Sequence, residues 1–206
     1  AIIYPMAISY GAEAWVSVKR LQEFLILDEK QQANIESHNE KEIQITNVSA
    51  SWVPNVPVLK NIDIHIPPNT LCAIVGPVGA GKSSILQLIL GELPQTSGRI
   101  YLGGKISYSS QEPWLFGSTV RNNILFGQPY NKFLYQKIVH VCALQKDFEQ
   151  FPEGDKTVVG ERGVSLSGGQ RARINLARAV YRQADIYIMD DPLSAVDTHG
   201  WETSFQ

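Results

Sequence analysis

The chain has 206 residues, room for one domain with an appendage. Apolar residues make up 44% and charged residues 18%, which supports a buried core and excludes a disordered chain. The net charge of −2 leaves no electrostatic footprint for nucleic acid, so a nucleic-acid partner is not expected. The two cysteines, Cys72 and Cys142, lie in apolar runs without metal-type spacing and read as buried thiols in a reducing compartment.

The opening stretch "AIIYPMAISYGAEAWVSV" carries its basic residues, Lys19 and Arg20, after the apolar run, the reverse of a secretory signal. About a dozen apolar-rich residues before Glu13 are too few to span a bilayer. Two readings stay open: a buried helix, or the end of a membrane helix whose basic flank faces the cytoplasm. The absence of an initiating methionine favours the second. Ala14, Val18, Leu21 and Leu25 recur at helical spacing, predicting one amphipathic helix to about Asp28. "EKQQANIESHNEKE" is polar and unpatterned and reads as a linker. The expected organisation is therefore an N-terminal segment at 1–29, a linker at 30–41 and a main domain at 42–206.

Within the main domain "IQITNV" and "IDIHI" alternate with period two, predicting half-exposed, antiparallel strands. "LCAIV" (71–75) is continuously apolar and predicts a strand buried on both faces. "SSILQLILGEL" reads as helix, "PQTSG" as a turn, and "RIYL" and "KISYS" as short strands. "FLYQKIVHVCAL" and "QRARINLARAVY" read as helices, and "DIYIMD" as a second buried strand ending in acids. Buried strands alternating with helices predict an α/β core with parallel strands. No repeat or low-complexity segment is present.

"GPVGAGKS" (76–83) follows the first buried strand and opens a helix, the context in which G-x-x-x-x-G-K-[ST] cradles phosphate. Gly76, Gly79 and Gly81 let the backbone curl with its N–H groups inward, and the helix N-terminus adds a favourable dipole. Lys82 is expected to reach the β- and γ-phosphates of a nucleotide, and Ser83 to ligate Mg²⁺. Ala80 and Ser84 complete the loop. A tight strand-to-helix turn explains the glycines but not the lysine. At the tip of "IYIMDD", Asp190 is placed to hold Mg²⁺ through its water shell, and Asp191 to orient an attacking water. "LSGGQ" (166–170), read alone, is a loop with Ser167 capping the helix that follows.

Beside a P-loop, "LSGGQ" resembles the signature of ATP-binding-cassette (ABC) ATPases. The resemblance implies that Ser167, Gly168, Gly169 and Gln170 form a second phosphate cradle, which completes the site of a partner domain. It also implies that Trp52 stacks on adenine. Gln111 matches the glutamine that touches Mg²⁺ and senses the transmembrane domain. "TVVGERG", with Glu161 its central acid, looks like the loop that meets a coupling helix, and "PLSAVD", closed by Asp197, looks like the D-loop. The strings "VGPVGAGKSS", "SSQEPWLFGSTVRNNILFG", "LSGGQRARINLARAVY" and "DIYIMDDPLSAVD" resemble the first nucleotide-binding domain of the C subfamily, the multidrug-resistance-associated-protein type.

The resemblance implies a P-loop NTPase core with a parallel sheet, an antiparallel β subdomain and a helical signature subdomain. It makes the N-terminal segment the end of a membrane helix, and the main domain a cassette incomplete at its C-terminus. Implied partners are a second nucleotide-binding domain, the transmembrane domains through the Gln111 and Glu161 loops, and a membrane with the cassette on its cytoplasmic side. Implied ligands are ATP and Mg²⁺. Two positions depart from the family pattern. Asp191 stands where fully active cassettes carry glutamate, and the switch histidine is expected beyond Gln206, since His199 is too close. The expected function is ATP-driven export of organic anions, drugs or conjugates. A soluble ABC ATPase, or a regulatory module that holds ATP with little turnover, are the competing readings.

Overall fold

The computed structural model describes residues 3–27, 35–37, 41–160 and 165–192. The chain divides into two compact units, Ala1–Gln32 and Ala33–Gln206. The first contains helix α1, Ile3–Leu25. Its start lies well before the expected amphipathic stretch: Pro5 falls in the first turn, where its missing N–H breaks no helix bond, and Gly11 is the one glycine between Tyr4 and Glu13. None of its residues is buried. Among the described residues no helix is long and apolar enough to cross a membrane.

The second unit opens with a strand inside the stretch read as a linker. Strand β1, Ile35–Ser37, pairs parallel with β4, Gln95–Leu102. A backbone ladder needs only free N–H and C=O groups, which a polar segment supplies as well as an apolar one. Strands β2, Ile43–Ala50, and β3, Leu59–Ile66, form the expected antiparallel hairpin. The sheet order is β1-β4-β2-β3. Along β2 the buried residues Ile43, Ile45, Val48 and Ala50 keep period two except for a slip at Asn47, which takes a left-handed φ of 48°. Opposite it, Gly98 has φ 89°, and a Cβ there would lie 2.4 Å from the Asn47 carbonyl oxygen. This bulge corrects the reading of "PQTSG" as a turn: the turn-forming residues lie within β4 and absorb an irregularity of register. Helix α2, Lys82–Ile89, covers this sheet with Leu88 and Ile89, which join Leu93, Ile100, Leu102 and Ile188 in one core cluster.

Strand β5, Ile106–Ser109, pairs parallel with β8, Ile186–Met189. The intervening residues build the second core. Short strands β6, Ser118–Thr119, and β7, Val158–Val159, pair antiparallel. Around them lie α3, Val120–Leu125; α4, Lys132–Val141; α5, Gln145–Gln150; and α6, Gly168–Tyr181. Val120, Ile124, Leu144 and Ile174 are fully enclosed there. Cys142 belongs to this cluster, and burial pushes its thiol up to about 12.

Three expectations need correction. Leu71–Val75 is not a buried strand: it carries no ladder, and Leu71 and Val75 are 96% and 87% exposed. Such a strand is buried by neighbours on both sides, and among the described residues none of the three sheets takes it up. Cys72, within it, is therefore exposed. "DIYIMD" is a strand, but with β5 as its sole described neighbour it buries Ile188 and leaves Tyr187 and Met189 exposed.

Candidate functional site

The loop from Gly76 to Gly81 turns on two left-handed glycines, Gly79 at φ 82° and Gly81 at φ 87°. Nothing crowds Gly79, so its need for glycine is conformational. Gly81 is also the N-cap of α2, and no side chain caps that helix. The first amides of α2 are thus left to an outside acceptor, the arrangement that suits an anion. Ala80 N–H donates to the Pro77 carbonyl at 3.2 Å and tightens the turn. Lys82 Nζ donates to the carbonyl oxygens of Gly76 and Pro77, both at 2.9 Å, so the ammonium lies over its own loop. Ser84 sits half-buried one residue past Ser83 in α2.

Ser83 Oγ donates to Asp190 Oδ1 at 3.1 Å across 107 positions of sequence. A hydroxyl and a carboxylate converging beside a phosphate-type loop are hard oxygen donors, and they fit Mg²⁺ held jointly with phosphate. Among the described residues no cluster of three His, Cys, Asp or Glu gathers to hold a metal by protein ligands alone. Burial, and then the nearby Asp190 carboxylate, push the Tyr108 phenol up.

The parallel pairing of β5 with β8 brings two loops to one end. Met189 lies opposite Ser109, and Asp190 N–H donates to the Ser109 carbonyl at 3.0 Å. The residues that follow, Gln111 on one side and Asp191 on the other, line a single small cleft with Ser110, Asn175 and Pro192. Asp191 takes φ 47°, a left-handed conformation uncommon outside glycine and a mark of local strain.

Trp52 is 51% exposed on the turn between β2 and β3. Leu59, at the far end of that turn, lies 3.3 Å from where a Cβ on Gly81 would stand, so the turn's base abuts the P-loop.

Ser167 is the N-cap of α6. Its Oγ accepts from Gln170 N–H at 3.2 Å, and Gln170 Oε1 accepts from Ser167 N–H at 3.0 Å, a closed capping box. Gly168 has no positive φ, and nothing stands within 4 Å of where its Cβ would project. Among the described residues, neither backbone conformation nor packing accounts for that glycine. Gly169 follows it in the first turn of α6. Among the described residues no hydrogen bond joins 165–170 to 76–84. Glu161, Asp197 and His199 lie outside the described residues.

Two residues of this region escaped sequence reasoning. Asn175 and Arg178 project from α6 onto the segment that carries Gln111. A buried asparagine and an arginine in an otherwise apolar helical face were the available signal.

Residues 59–194 match the family model described as ABC transporter. The chain is 48% identical over 209 residues to ATP-binding cassette sub-family C member 4 of Mus musculus, covering 100% of this chain and 16% of that protein. It is 49% identical over 200 residues to the protein of that name from Homo sapiens, covering 95% and 15%. It is 46% identical over 205 residues to multidrug resistance protein mrp-7 of Caenorhabditis elegans, covering 94% and 13%. The chain thus spans about one sixth or less of the length of these curated relatives.

Proposed function

The chain belongs to the ABC transporter family, and from that premise we propose that it is the ATP-binding cassette of a membrane exporter. ATP hydrolysis on this cassette and a second one drives the export of organic anions, drugs or conjugates. The observation that carries the reading is the Ser83–Asp190 hydrogen bond beside an uncapped, glycine-turned helix start. That pairing suits a nucleotide phosphate and its Mg²⁺.

In this reading the N–H groups of Gly79 to Ser84 and Lys82 Nζ hold the phosphates, and Trp52 stacks on the base. Ser83, Asp190 and Gln111 would hold Mg²⁺, which when bound draws charge from the γ-phosphate. Gln111 and Asp191, sharing one cleft, orient the attacking water. Ser167, Gly168, Gly169 and Gln170 face the nucleotide of the second cassette. Their support is a glycine whose bareness nothing among the described residues explains. The Gln111 and Glu161 loops meet the transmembrane domains, and the cassette lies on the cytoplasmic face of a plasma or organelle membrane. The segment at 1–29 leads from the last membrane helix, 30–41 links, and 42–206 is the cassette.

A second reading is favoured by Asp191, one methylene shorter than glutamate: this cassette's own site holds ATP and turns it over slowly. The test is photolabelling of the full-length protein with an azido-ATP and Mg²⁺, together with ATP-driven uptake into inside-out vesicles. Lys82→Ala should abolish labelling of this segment and most uptake. Labelling that persists at wild-type level in Lys82→Ala overturns the assignment.

A further inference from the structure

Helix α6 holds the Gln111 segment on both sides. Just before Gln111, Asn175 Nδ2 donates to Ser109 Oγ at 3.1 Å and to the Ser110 carbonyl at 3.2 Å. Just after it, Arg178 Nη1 donates to the Trp114 carbonyl at 2.8 Å. The same guanidinium donates through Nε to the Asn123 carbonyl at 2.8 Å and through Nη2 to Asn123 Oδ1 at 3.0 Å. Asn123 in turn clasps Phe116, accepting from its N–H and donating to its carbonyl, both at 3.0 Å. The rings of Trp114 and Phe126 lie 5.6 and 4.9 Å from the guanidinium.

Asn175 and Arg178 are three positions apart and share one face of α6. Asn175 is 5% exposed and Arg178 is half-buried. The Asn175–Ser109 bond is buried and the Arg178–Asn123 bonds are part-buried, which strengthens them, while the Arg178–Trp114 bond is exposed. Between the two anchored points, Ser110 and Trp114, stand Gln111, Glu112 and Pro113. So short a stretch, with a proline fixing one φ, has little freedom to absorb a displacement. The N-terminus of the helix that holds it is Ser167–Gly168.

On the footing of the nucleotide-site reading above, we propose that Asn175 and Arg178 are positioning residues that lock the Gln111 segment to α6. A phosphate that engages the glycines at the start of α6 thereby resets Gln111 against Asp191. One chain then couples two different nucleotides: the one its own P-loop holds and the one its signature touches. Arginine is required at the second anchor because the three acceptors are met by three different nitrogens of its planar fork, whereas the three donors of a lysine ammonium radiate from one.

The experiment is a double-mutant cycle in the full-length protein. Azido-ATP affinity is read at the labelled peptide containing this chain's P-loop. Gly168→Asp, at the far end of α6, should change that affinity by about two- to thirtyfold, the range of coupling carried by packed networks. In an Arg178→Lys background the same Gly168→Asp change should have less than about a twofold effect, the limit for independent sites. Asn175→Ala, which cuts the other anchor by different chemistry, should abolish the linkage equally and covers a failure of Arg178→Lys to fold. A merely structural role would lower yield but leave the Gly168→Asp factor intact. The same factor in all three backgrounds, or no effect of Gly168→Asp in the parent, overturns the proposal. Lys82→Ala runs alongside: wild-type labelling there condemns the nucleotide-site reading itself, whereas lost labelling with an unchanged factor condemns only the coupling.

Discussion

At the scale of single residues, Lys82 already has acceptors. Its ammonium rests on two carbonyl oxygens at 2.9 Å and must leave them to meet a phosphate. The exchange of neutral acceptors for a charged one favours the triphosphate. Lys82→Ala should therefore lose most of the preference for ATP over ADP, checked by calorimetric titration with each nucleotide. Trp52 is half-exposed, so its ring has a free face. Trp52→Ala should weaken ATP binding by roughly 1–3 kcal/mol, the value of a base stacked on an aromatic ring; an unchanged Kd would remove the adenine from that turn. Asp191 and Gly168 make an opposed pair. On the proposed reading, Asp191 is one methylene too short to reach the water a glutamate would orient, and a misplacement of about 1 Å costs around a hundredfold in rate. Asp191→Asn should thus do little to total turnover. On the same reading, Gly168→Asp would set a carboxylate where a second cassette's γ-phosphate binds, and should abolish most ATPase activity and transport. Turnover of both variants in the full-length protein at saturating Mg·ATP decides this; a larger loss in Asp191→Asn is the contrary result.

Among elements, the helical core hangs on charge pairs as well as on apolar contact. Asp147 on α5 is 4% exposed, and both its oxygens accept from Arg173 on α6, at 2.7 Å each. Arg173→Ala leaves a buried carboxylate without that fork and should cost about 3 kcal/mol or more. The loss is read as a lower urea midpoint, and replacing Asp147 with leucine in the same chain should restore part of it. This pair was invisible in the sequence, since nothing in "QKDFEQ" or "QRARIN" says which arginine meets which acid. The strands β2 and β3 were legible because period-two alternation survives wherever one face is buried. The P-loop and the cap at Ser167 were legible because their chemistry is local: glycines that need a left-handed φ, a serine three residues before a glutamine. Gly98 was misleading for the same reason. Its turn chemistry is genuine, but it serves a bulge opposite Asn47. "LCAIV" misled differently, since burial of an apolar run depends on neighbours that its own residues do not specify. The Asn175 and Arg178 anchors join residues up to 66 positions apart and so leave no local pattern.

For the molecule as a whole, the proposed site is divided between two places that, among the described residues, do not hydrogen-bond to each other. The purified 206-residue chain should therefore bind nucleotide without steady turnover, well below the usual enzymatic order of about 1–10³ s⁻¹. A phosphate-release assay over a range of chain concentrations checks this. The same chain exposes Leu71, Val75 and Val78, and α1 buries none of its residues. Light scattering should show self-association that mild detergent suppresses. Gly168 carries a consequence of another kind. Among the described residues, space is open where its side chain would be, and its backbone is one any residue adopts. Replacing a helix-start glycine there favours the helix if anything, by up to about 1 kcal/mol. A missense allele at this codon would therefore yield a protein that folds, escapes quality control and accumulates at normal abundance while inactive. Where such copies compete with functional ones for shared substrate or placement, the defect would be inherited as dominant, unlike alleles that merely unfold the chain.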